Sequence, residues 1–387
     1  MIPYGRQTIS DADIEAVVEV LRSDFLTQGP VVPAFEQAVA DYCGAQYAVA
    51  VNSATSALHV ACLALGVKAG DVVWTSPITF VASANCALYC GARVDFVDID
   101  ADTYNLSVAC LAEKLACVET SGGLPKVVIV VHLAGQPCEM AAIHALSQRY
   151  GFNIIEDASH AIGAKYRGEV IGNGRYSDIT IFSFHPVKII TSGEGGMALT
   201  NDAQLAKRMR LLRTHGITSD VADMTPRPAQ ELWFYQQITL GFNYRMTDIH
   251  AALGLSQMQR LDAFVSKRQG LAKQYDDLLS DLPIVTPWQH ADNYSAFHLY
   301  IIRLKLDEIG QSQRHVFEAL RADDIGVNLH YIPVYRQPYY RDLGFEPGYC
   351  PEAERYYSQA ISLPLFPALT LAEQNQVVTA LRRAIDL

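Results

Sequence analysis

Short, continuous apolar runs alternate with helix-like stretches from about residue 45 to residue 200. The runs are rich in Val, Ile and Ala and hold few charges, as in the segment KVVIVVH at 126–132. Such runs are typical of strands buried on both faces of a parallel sheet, with helices between them. The pattern predicts strands at 47–53, 71–76, 93–100, 126–132, 152–159, 178–184 and 195–200. It therefore predicts an α/β fold with a mostly parallel seven-stranded sheet between helices.

The pattern changes after about residue 246, where a helical stretch begins and continues to about residue 282. A second set of elements follows: a strand at 297–304, a helix at 313–326, a strand at 327–333 and a closing helix from about residue 370. We therefore expect three parts, which are an N-terminal arm at 1–30, a large domain at 31–265 and a smaller C-terminal α+β domain at 266–387.

Composition limits the classes of function. Of the 387 residues, 50% are hydrophobic and 18% are charged, and the formal net charge is −11. This acidity argues against partners that are nucleic acids or anionic membranes, which usually require a basic face. The opening MIPYGRQTIS has no apolar leader and no run of eighteen apolar residues follows, so neither a signal peptide nor a membrane span is expected.

The cysteines and histidines point to no metal site and no disulfide framework. The eight cysteines form no C-x-x-C pair, and most lie in apolar stretches, which is typical of buried thiols in a reducing compartment. The eleven histidines are scattered along the chain. We therefore expect a soluble, cytoplasmic protein without a bound metal.

Three strand ends carry the residues that suggest chemistry. Thr55 and Ser56 follow the first strand and open a helix, where free amide groups favour an anion such as a phosphate, although plain N-capping explains them equally well. Asp157 ends an otherwise apolar strand, which is costly unless a cation faces it. Lys188 follows another strand that ends near Ser183, and a lysine in apolar surroundings also needs a partner.

A carboxylate, a lysine and hydroxyl-rich helix starts at the ends of parallel strands suit pyridoxal phosphate (PLP). The lysine would form the Schiff base with the cofactor, and the carboxylate would keep the pyridine nitrogen protonated. Other cofactor sites fit less well. The glycine pattern GEVIGNGRYS follows no strand-to-helix turn, and the sequence has neither a P-loop nor an H-E-x-x-H motif.

Several longer segments resemble one family over nearly the whole chain. They are NSATSALH, EDASHAIGA, FSFHPVK with SGEGGM, RTHGI, LGFNYRMTDIHAALGLSQ and HYIPVY. In this order and spacing they resemble the DegT/DnrJ/EryC1/StrS aminotransferases, which have the fold of aspartate aminotransferase, PLP-dependent fold type I. The opening IPYGRQTISDADIEAVVEVLRSDFLTQGP is most similar to members that aminate a UDP-linked sugar on the route to pseudaminic acid.

The resemblance implies a role for individual residues. It implies that Lys188, Asp157 and His160 are catalytic, with Lys188 as the Schiff-base lysine and His160 near the cofactor ring. It implies phosphate contacts from Thr55, Ser56 and Ser183, a stacking contact on the ring from Phe80, and a phosphate contact from Asn243 of the partner subunit in a homodimer. The substrate-side positions that it implies are Tyr4, Leu26, Thr27, Gln28, Gly29, Ser56, Asn328, Leu329, His330 and Tyr331. Ordinary packing remains the alternative for Phe80, Tyr4, His330 and Tyr331.

The resemblance also implies a reaction. The expected activity transfers an amino group from L-glutamate to C4 of a UDP-linked 4-keto-6-deoxy-N-acetyl hexose, with two half reactions and ping-pong kinetics. Three alternatives remain open at this point: the same transfer to another nucleotide sugar, such as GDP-4-keto-6-deoxymannose or a UDP-4-keto-pentose; another PLP reaction; and a non-catalytic PLP-binding regulator. No basic helix-turn-helix segment precedes residue 40, as such a regulator would usually have.

Overall fold

The protein was analysed as a computed structural model, which describes residues 1–120, 122–226 and 231–386. Its centre is a seven-stranded sheet of strands β1 Tyr47–Val51, β2 Val72–Thr75, β3 Arg93–Phe96, β4 Val127–Val131, β5 Asn153–Asp157, β8 Ile179–Ser183 and β9 Gly196–Thr200. The spatial order is β1-β9-β8-β5-β4-β2-β3. The pairs from β8 to β3 are parallel, whereas β9 is antiparallel to both of its neighbours. The predicted α/β class and seven-stranded sheet are confirmed.

Helices cover both faces of this sheet. Those that precede or connect its strands are α1 Asp11–Arg22, α2 Val31–Cys43, α3 Ala54–Ala64, α4 Ala82–Tyr89, α5 Val108–Val118, α6 Met140–Tyr150, α7 Ala203–Leu212, α8 Asp248–Met258 and α9 Leu261–Leu278. Alternate residues of β4 enter opposite cores: Val127 and Ile129 pack with α3 and α4, while Val128 and Val130 pack with α2 and α6. This two-sided burial explains why the strand has no polar position.

The C-terminal part has its own small sheet. Strands β12 Ile284–Val285, β14 Tyr300–Leu304 and β15 Ala360–Leu363 pair antiparallel, and helices α10 Gln313–Ala322 and α13 Leu371–Ala384 lie against them. The remaining short elements are β6 Lys165–Tyr166, β7 Glu169–Val170, β10 Ile217–Thr218, β11 Gln236–Gln237, β13 Asn293–Tyr294, α11 Pro338–Arg341 and α12 Pro351–Gln359. Among the described residues, no helix combines the length and apolar character that crossing a membrane requires.

Helix α9 connects the two parts. Its first turns, with Phe264 and Val265, belong to a core of the large sheet, whereas Leu271 and Tyr275 belong to the core of the small sheet. The change of core therefore falls inside one continuous helix, close to the boundary expected after residue 265. The three-part division at 1–30, 31–265 and 266–387 stays a prediction.

The strand expected at 327–333 is wrong as a regular strand. Only Asn328 pairs with a neighbouring strand, opposite Ser362, and the chain then leaves the sheet. Side chains hold it in place: the His330 imidazole bonds to the Ser362 hydroxyl at 2.8 Å, and the Tyr356 hydroxyl donates to the His330 carbonyl at 2.5 Å. The apolar pattern here reflects burial against distant residues rather than a ladder of backbone hydrogen bonds.

Candidate active site

A cavity of about 800 Å³ opens where β5 and β8 end and α3 begins. The carboxyl edge of a parallel sheet is the usual place for a ligand, because loops diverge there and helices begin there. The structure brings most of the sequence-predicted site residues to this cavity. They are Tyr4, Thr55, Ser56, Phe80, Asp157, His160, Ser183, Lys188, Asn328, Leu329, His330 and Tyr331.

Lys188 follows β8 after a tight turn, in which its backbone amide donates to the carbonyl of His185 at 2.9 Å. Loss of hydration in the cavity lowers the pKa of the Lys188 ammonium to about 8, against the opposing effect of the negative charge of Asp157. A lower pKa leaves more of the amine neutral near physiological pH, and only the neutral amine is a nucleophile. The side chain is therefore suited to form a covalent bond with a carbonyl group.

Asp157 is held rigidly at the end of β5, where it is 5% exposed. The Ser83 hydroxyl donates to one carboxylate oxygen at 2.6 Å, and the Ser159 hydroxyl donates to the other at 2.6 Å. A second bond comes from the Ser159 amide at 3.2 Å. These bonds satisfy the buried carboxylate without neutralising it, so that it can still face a cation in the cavity.

The start of α3 forms the anion-binding end of the cavity. Ser53 is the N-cap and accepts from the Ser56 amide at 3.1 Å, while the Ser56 hydroxyl donates to Asn52 at 2.6 Å. Strand β9 passes directly beneath this turn, since a Cβ on Gly196 would lie 2.4 Å from the Ala54 nitrogen. The helix dipole and the hydroxyl groups of this turn suit a phosphate.

Another wall combines the N-terminal segment with the segment 328–331 of the C-terminal part. The Tyr4 ring lies 5.4 Å from the His330 ring, and the Tyr331 hydroxyl lies 3.3 Å from Nε2 of His160. The Phe80 ring is 59% exposed and lies 6.3 Å from the Tyr331 ring. Aromatic rings thus line the part of the cavity that faces the strand ends.

His160 is kept neutral by its surroundings. Burial lowers its pKa well below the usual value, and the charges of Lys188 and His330 lower it further. The ring of His298 lies 4.4 Å away, and burial also lowers the pKa of His298. Neither imidazole is therefore a cation near neutral pH.

Five predicted residues lie outside the cavity of their own chain. Leu26, Thr27, Gln28 and Gly29 form a turn beside the start of α8, where Thr27 pairs with Thr247 and Asp248 accepts from the Gly29 amide at 2.6 Å. Asn243 is exposed and pairs with Thr214. A contact of these residues with a ligand stays a prediction.

Sequence reasoning missed several residues of the site. Ser83 and Ser159 hold Asp157, and the cavity is also lined by Asn52, Ser53, Thr79, His185, Glu194 and His298. The capping pattern before α3 and the SGEGG segment were signals for Ser53 and Glu194. Ser83 and His298 had no such signal, since they are distant in sequence from the residues that they contact.

These residues fit pyridoxal phosphate. The cavity offers an amine of lowered pKa, a buried carboxylate near it and a helix start with hydroxyl groups, which match the aldehyde, the pyridine nitrogen and the phosphate of that cofactor. Together with the fold, they define a PLP-dependent aminotransferase.

Comparison with known proteins identifies the family. The model of the DegT/DnrJ/EryC1/StrS aminotransferase family matches residues 7–382. The chain belongs to this family, as the sequence motifs predicted, and its cofactor is pyridoxal phosphate.

Individual relatives match over almost their entire length. The spore coat polysaccharide biosynthesis protein SpsC of Bacillus subtilis is 37% identical over 384 residues, which are 98% of this chain and 96% of SpsC. The structure of Helicobacter pylori PseC, an aminotransferase of pseudaminic acid biosynthesis, matches with a TM-score of 0.91 at 29% identity, covering 100% of this chain and 99% of PseC. The PMP form of Spr1654 from Streptococcus pneumoniae, described as a sugar aminotransferase, matches with a TM-score of 0.89 at 29% identity, covering 100% and 99%.

Proposed function

We propose that the protein transfers an amino group from L-glutamate to C4 of a UDP-linked 4-keto-6-deoxy-N-acetyl hexose, UDP-2-acetamido-2,6-dideoxy-β-L-arabino-hex-4-ulose, for the synthesis of pseudaminic acid. The main support for an amino-transfer reaction is the environment of Lys188. Its pKa of about 8 and its position beside the buried Asp157 suit a lysine that binds PLP. The likeness to PseC over the whole chain supports this substrate.

Asp157 and Lys188 have different roles in the proposed reaction. PLP, when bound, supplies an electron sink for the carbanion that forms when the amino acid loses its α-proton. Asp157, held in place by hydrogen bonds from Ser83 and Ser159, would face the pyridine nitrogen and favour its protonated form. The Lys188 Nζ, once released, holds the transferred proton and returns it, which its lowered pKa permits near neutral pH.

The start of α3 orients the cofactor by its phosphate. Ser56 and Thr55 lie at the first turn of this helix and line the cavity. The segment 328–331 and Tyr4 close the side where a sugar would enter. This arrangement limits the access of water to the reacting atoms, which protects a reactive imine from hydrolysis.

A second candidate function is the same amino transfer to a different nucleotide sugar. SpsC, a polysaccharide biosynthesis protein, is 37% identical to this chain, whereas PseC is 29% identical. The alternative acceptors to be tested directly are GDP-4-keto-6-deoxymannose and a UDP-4-keto-pentose.

The test is to incubate the purified holoenzyme with L-glutamate and each 4-keto nucleotide sugar separately, and to identify the products by mass spectrometry and NMR. We expect the UDP-linked 4-keto-6-deoxy-N-acetyl hexose to give a 4-amino product with the highest kcat/KM, and one molecule of 2-oxoglutarate to form from glutamate for each molecule of amino sugar. A higher kcat/KM for the GDP-linked sugar or the pentose would assign the second candidate instead.

We further propose that the active unit is a homodimer in which Asn243 of the partner subunit contacts the cofactor phosphate. Asn243 is exposed on its own chain and lies away from its own cavity. The segment before it carries large apolar side chains in solvent: Leu232, Trp233 and Leu240 are 83%, 75% and 77% exposed. Apolar exposure of this kind is typical of a surface that another chain covers, and a second copy would bring Asn243 towards a cavity.

A further inference from the structure

The imidazole of His160 lies between a backbone amide and a tyrosine hydroxyl. The amide of Ala134 donates to Nδ1 of His160 at 3.3 Å. On the other side of the ring, Nε2 of His160 lies 3.3 Å from the hydroxyl oxygen of Tyr331. Both His160 and Tyr331 line the cavity, so this pair connects the backbone of the large sheet with the wall that contains Tyr331.

The amide of Ala134 determines the tautomer of His160. A backbone N–H can only donate, so Nδ1 must present a lone pair and cannot carry a proton. A neutral imidazole has one N–H, which must then lie on Nε2. The low pKa of His160, caused by burial and by the charges of Lys188 and His330, agrees with this neutral form.

The turn that presents this amide is fixed by close packing. Ala134 has a left-handed backbone with φ of 58°, which directs its N–H towards His160. At the next position, a Cβ on Gly135 would lie 2.9 Å from the His160 carbonyl oxygen and 2.9 Å from the Phe297 nitrogen. The amide therefore cannot turn away easily, and the orientation of the imidazole follows from it.

The tautomer in turn fixes the direction of the Tyr331 hydroxyl. Since Nε2 of His160 donates, the Tyr331 oxygen accepts, and its own proton must point elsewhere. Burial raises the pKa of Tyr331, and the negative charge of Asp157 raises it further, so the hydroxyl keeps this proton at neutral pH. Because the side chain lines the cavity, the remaining direction for this proton is into the cavity.

We propose that Tyr331 donates a hydrogen bond to an oxygen atom of the ligand in the cavity, and that His160 is the positioning residue that orients this hydroxyl. The inference rests on the proposed aminotransferase reaction but not on the identity of the sugar. The acceptor atom has two sources, an oxygen of the cofactor ring or the carbonyl oxygen of the amino acceptor, and the experiment below distinguishes them.

The first measurement needs neither cofactor nor substrate. The apo-protein is labelled with ¹⁵N-histidine, and the His160 signals are assigned by their loss in His160→Gln. We expect Nδ1 to resonate in the range of an unprotonated nitrogen and Nε2 in the range of a protonated one. A proton on Nδ1 would overturn the proposal, whatever reaction the enzyme catalyses.

The second measurement compares variants of the holoenzyme. Tyr331→Phe removes only the hydroxyl group. We expect either the affinity for PLP or kcat/KM for the sugar to fall by roughly 10- to 100-fold, which is typical of removing one donor from a buried site. If the acceptor is on the cofactor, the loss appears in the dissociation constant of PLP, measured by titration of the apo-protein. If it is on the keto sugar, PLP binding is unchanged and kcat/KM for the sugar falls, while the glutamate half reaction is retained.

The variants at position 160 test the positioning role. Glutamine can accept from the Ala134 amide with its oxygen and donate to Tyr331 with its nitrogen. The PLP affinity and the kcat/KM of His160→Gln should therefore stay within about five-fold of the wild-type values. Leucine can neither accept nor donate, so His160→Leu should lower the same quantity by as much as Tyr331→Phe does. The double variant His160→Leu/Tyr331→Phe should be little worse than either single one, because both remove the same hydrogen bond.

A matched control removes a tyrosine hydroxyl outside the cavity. Tyr340 is buried and its hydroxyl donates to Asn85 at 2.6 Å, so Tyr340→Phe has the same chemical change without a ligand nearby. We expect it to retain PLP affinity and kcat/KM for the sugar. Two results would overturn the proposal: Tyr331→Phe that matches this control in both quantities, or fully additive losses in the double variant.

Discussion

The ionisation of Lys188 should depend on Asp157 in a direction that chemical labelling can test. Loss of hydration lowers the pKa of Lys188 from 10.5 to about 8, while the negative charge of Asp157 raises it. Asp157→Asn removes that charge and retains the shape of the side chain, although its amide nitrogen can no longer accept from one of the two hydroxyl groups of Ser83 and Ser159. The pKa of Lys188 should therefore fall further in this variant.

The magnitude follows from the fraction of neutral amine. At pH 7 a lysine with a pKa of 10.5 is neutral in about one molecule in 3,000, whereas a pKa of about 8 leaves about one-tenth neutral. The neutral fraction rises less steeply once the pKa approaches the pH, and a further fall of the Lys188 pKa by one unit would raise the neutral fraction at pH 7 about five-fold. The reactivity of Lys188 at pH 7 should thus rise in Asp157→Asn even though catalysis falls.

The assay is pH-dependent acetylation of the apo-protein with a trace of acetic anhydride, followed by mass spectrometry of the peptide that contains Lys188. Labelling of the exposed Lys126 in the same samples corrects for loss of the reagent. Glu156→Gln is the matched control, since Glu156 precedes Asp157 in β5 but bonds to His132 and Ser177. A midpoint for Lys188 near 10.5 in wild type, or one that Asp157→Asn raises or leaves unchanged, would refute the reasoning.

Three further predictions concern the cofactor, the assembly and the stability. Lys188→Ala should lose the visible absorption of the bound cofactor and all amino transfer; full turnover without added amines would show that another group does this work. Mixed dimers of Lys188→Ala and Asn243→Ala should recover activity towards half that of one wild-type dimer, because one hybrid site is intact; no recovery after verified subunit exchange would place Asn243 elsewhere. Asp13 is buried and, although burial opposes this, hydrogen bonds from Ser256, Ser10 and Gln257 hold its pKa below the usual value. The lowered pKa contributes stability that is present above the pKa of the unfolded state and is lost as the pH falls through the pKa of the folded state. Asp13→Asn should therefore lower the unfolding free energy by roughly 1–3 kcal/mol at pH 7 and by progressively less as the solution is acidified. A loss of unfolding free energy that stays the same on acidification would contradict this.

The sequence identified the strands and the residues at their ends because both depend on local pattern. Strands β4 and β8 are fully buried, and Asp157 ends β5 at the sheet edge where the ends of parallel strands meet. The contacts that complete the site are not local. Ser83 reaches Asp157 across 74 positions, and Tyr331 reaches His160 across 171. No periodicity could predict such pairs, and the same limit explains why the apolar pattern of 327–333 predicts a strand that the structure lacks.

The two walls of the cavity have different structural origins, and this has a consequence for specificity. The wall with Lys188, Asp157 and the start of α3 belongs to the large sheet, whose strands are buried on both faces. The wall with Tyr4 and 328–331 is held by contacts between the N-terminal segment and the C-terminal part: the Gly326 amide donates to Ile2 at 2.7 Å and the Leu365 amide donates to Tyr4 at 3.0 Å. A Cβ on Gly326 would lie 2.8 Å from the Ile2 oxygen, so this junction is close-packed. We therefore expect substitutions on the second wall to change which sugar is accepted while the cofactor side keeps its geometry. The His160–Tyr331 contact joins the two walls.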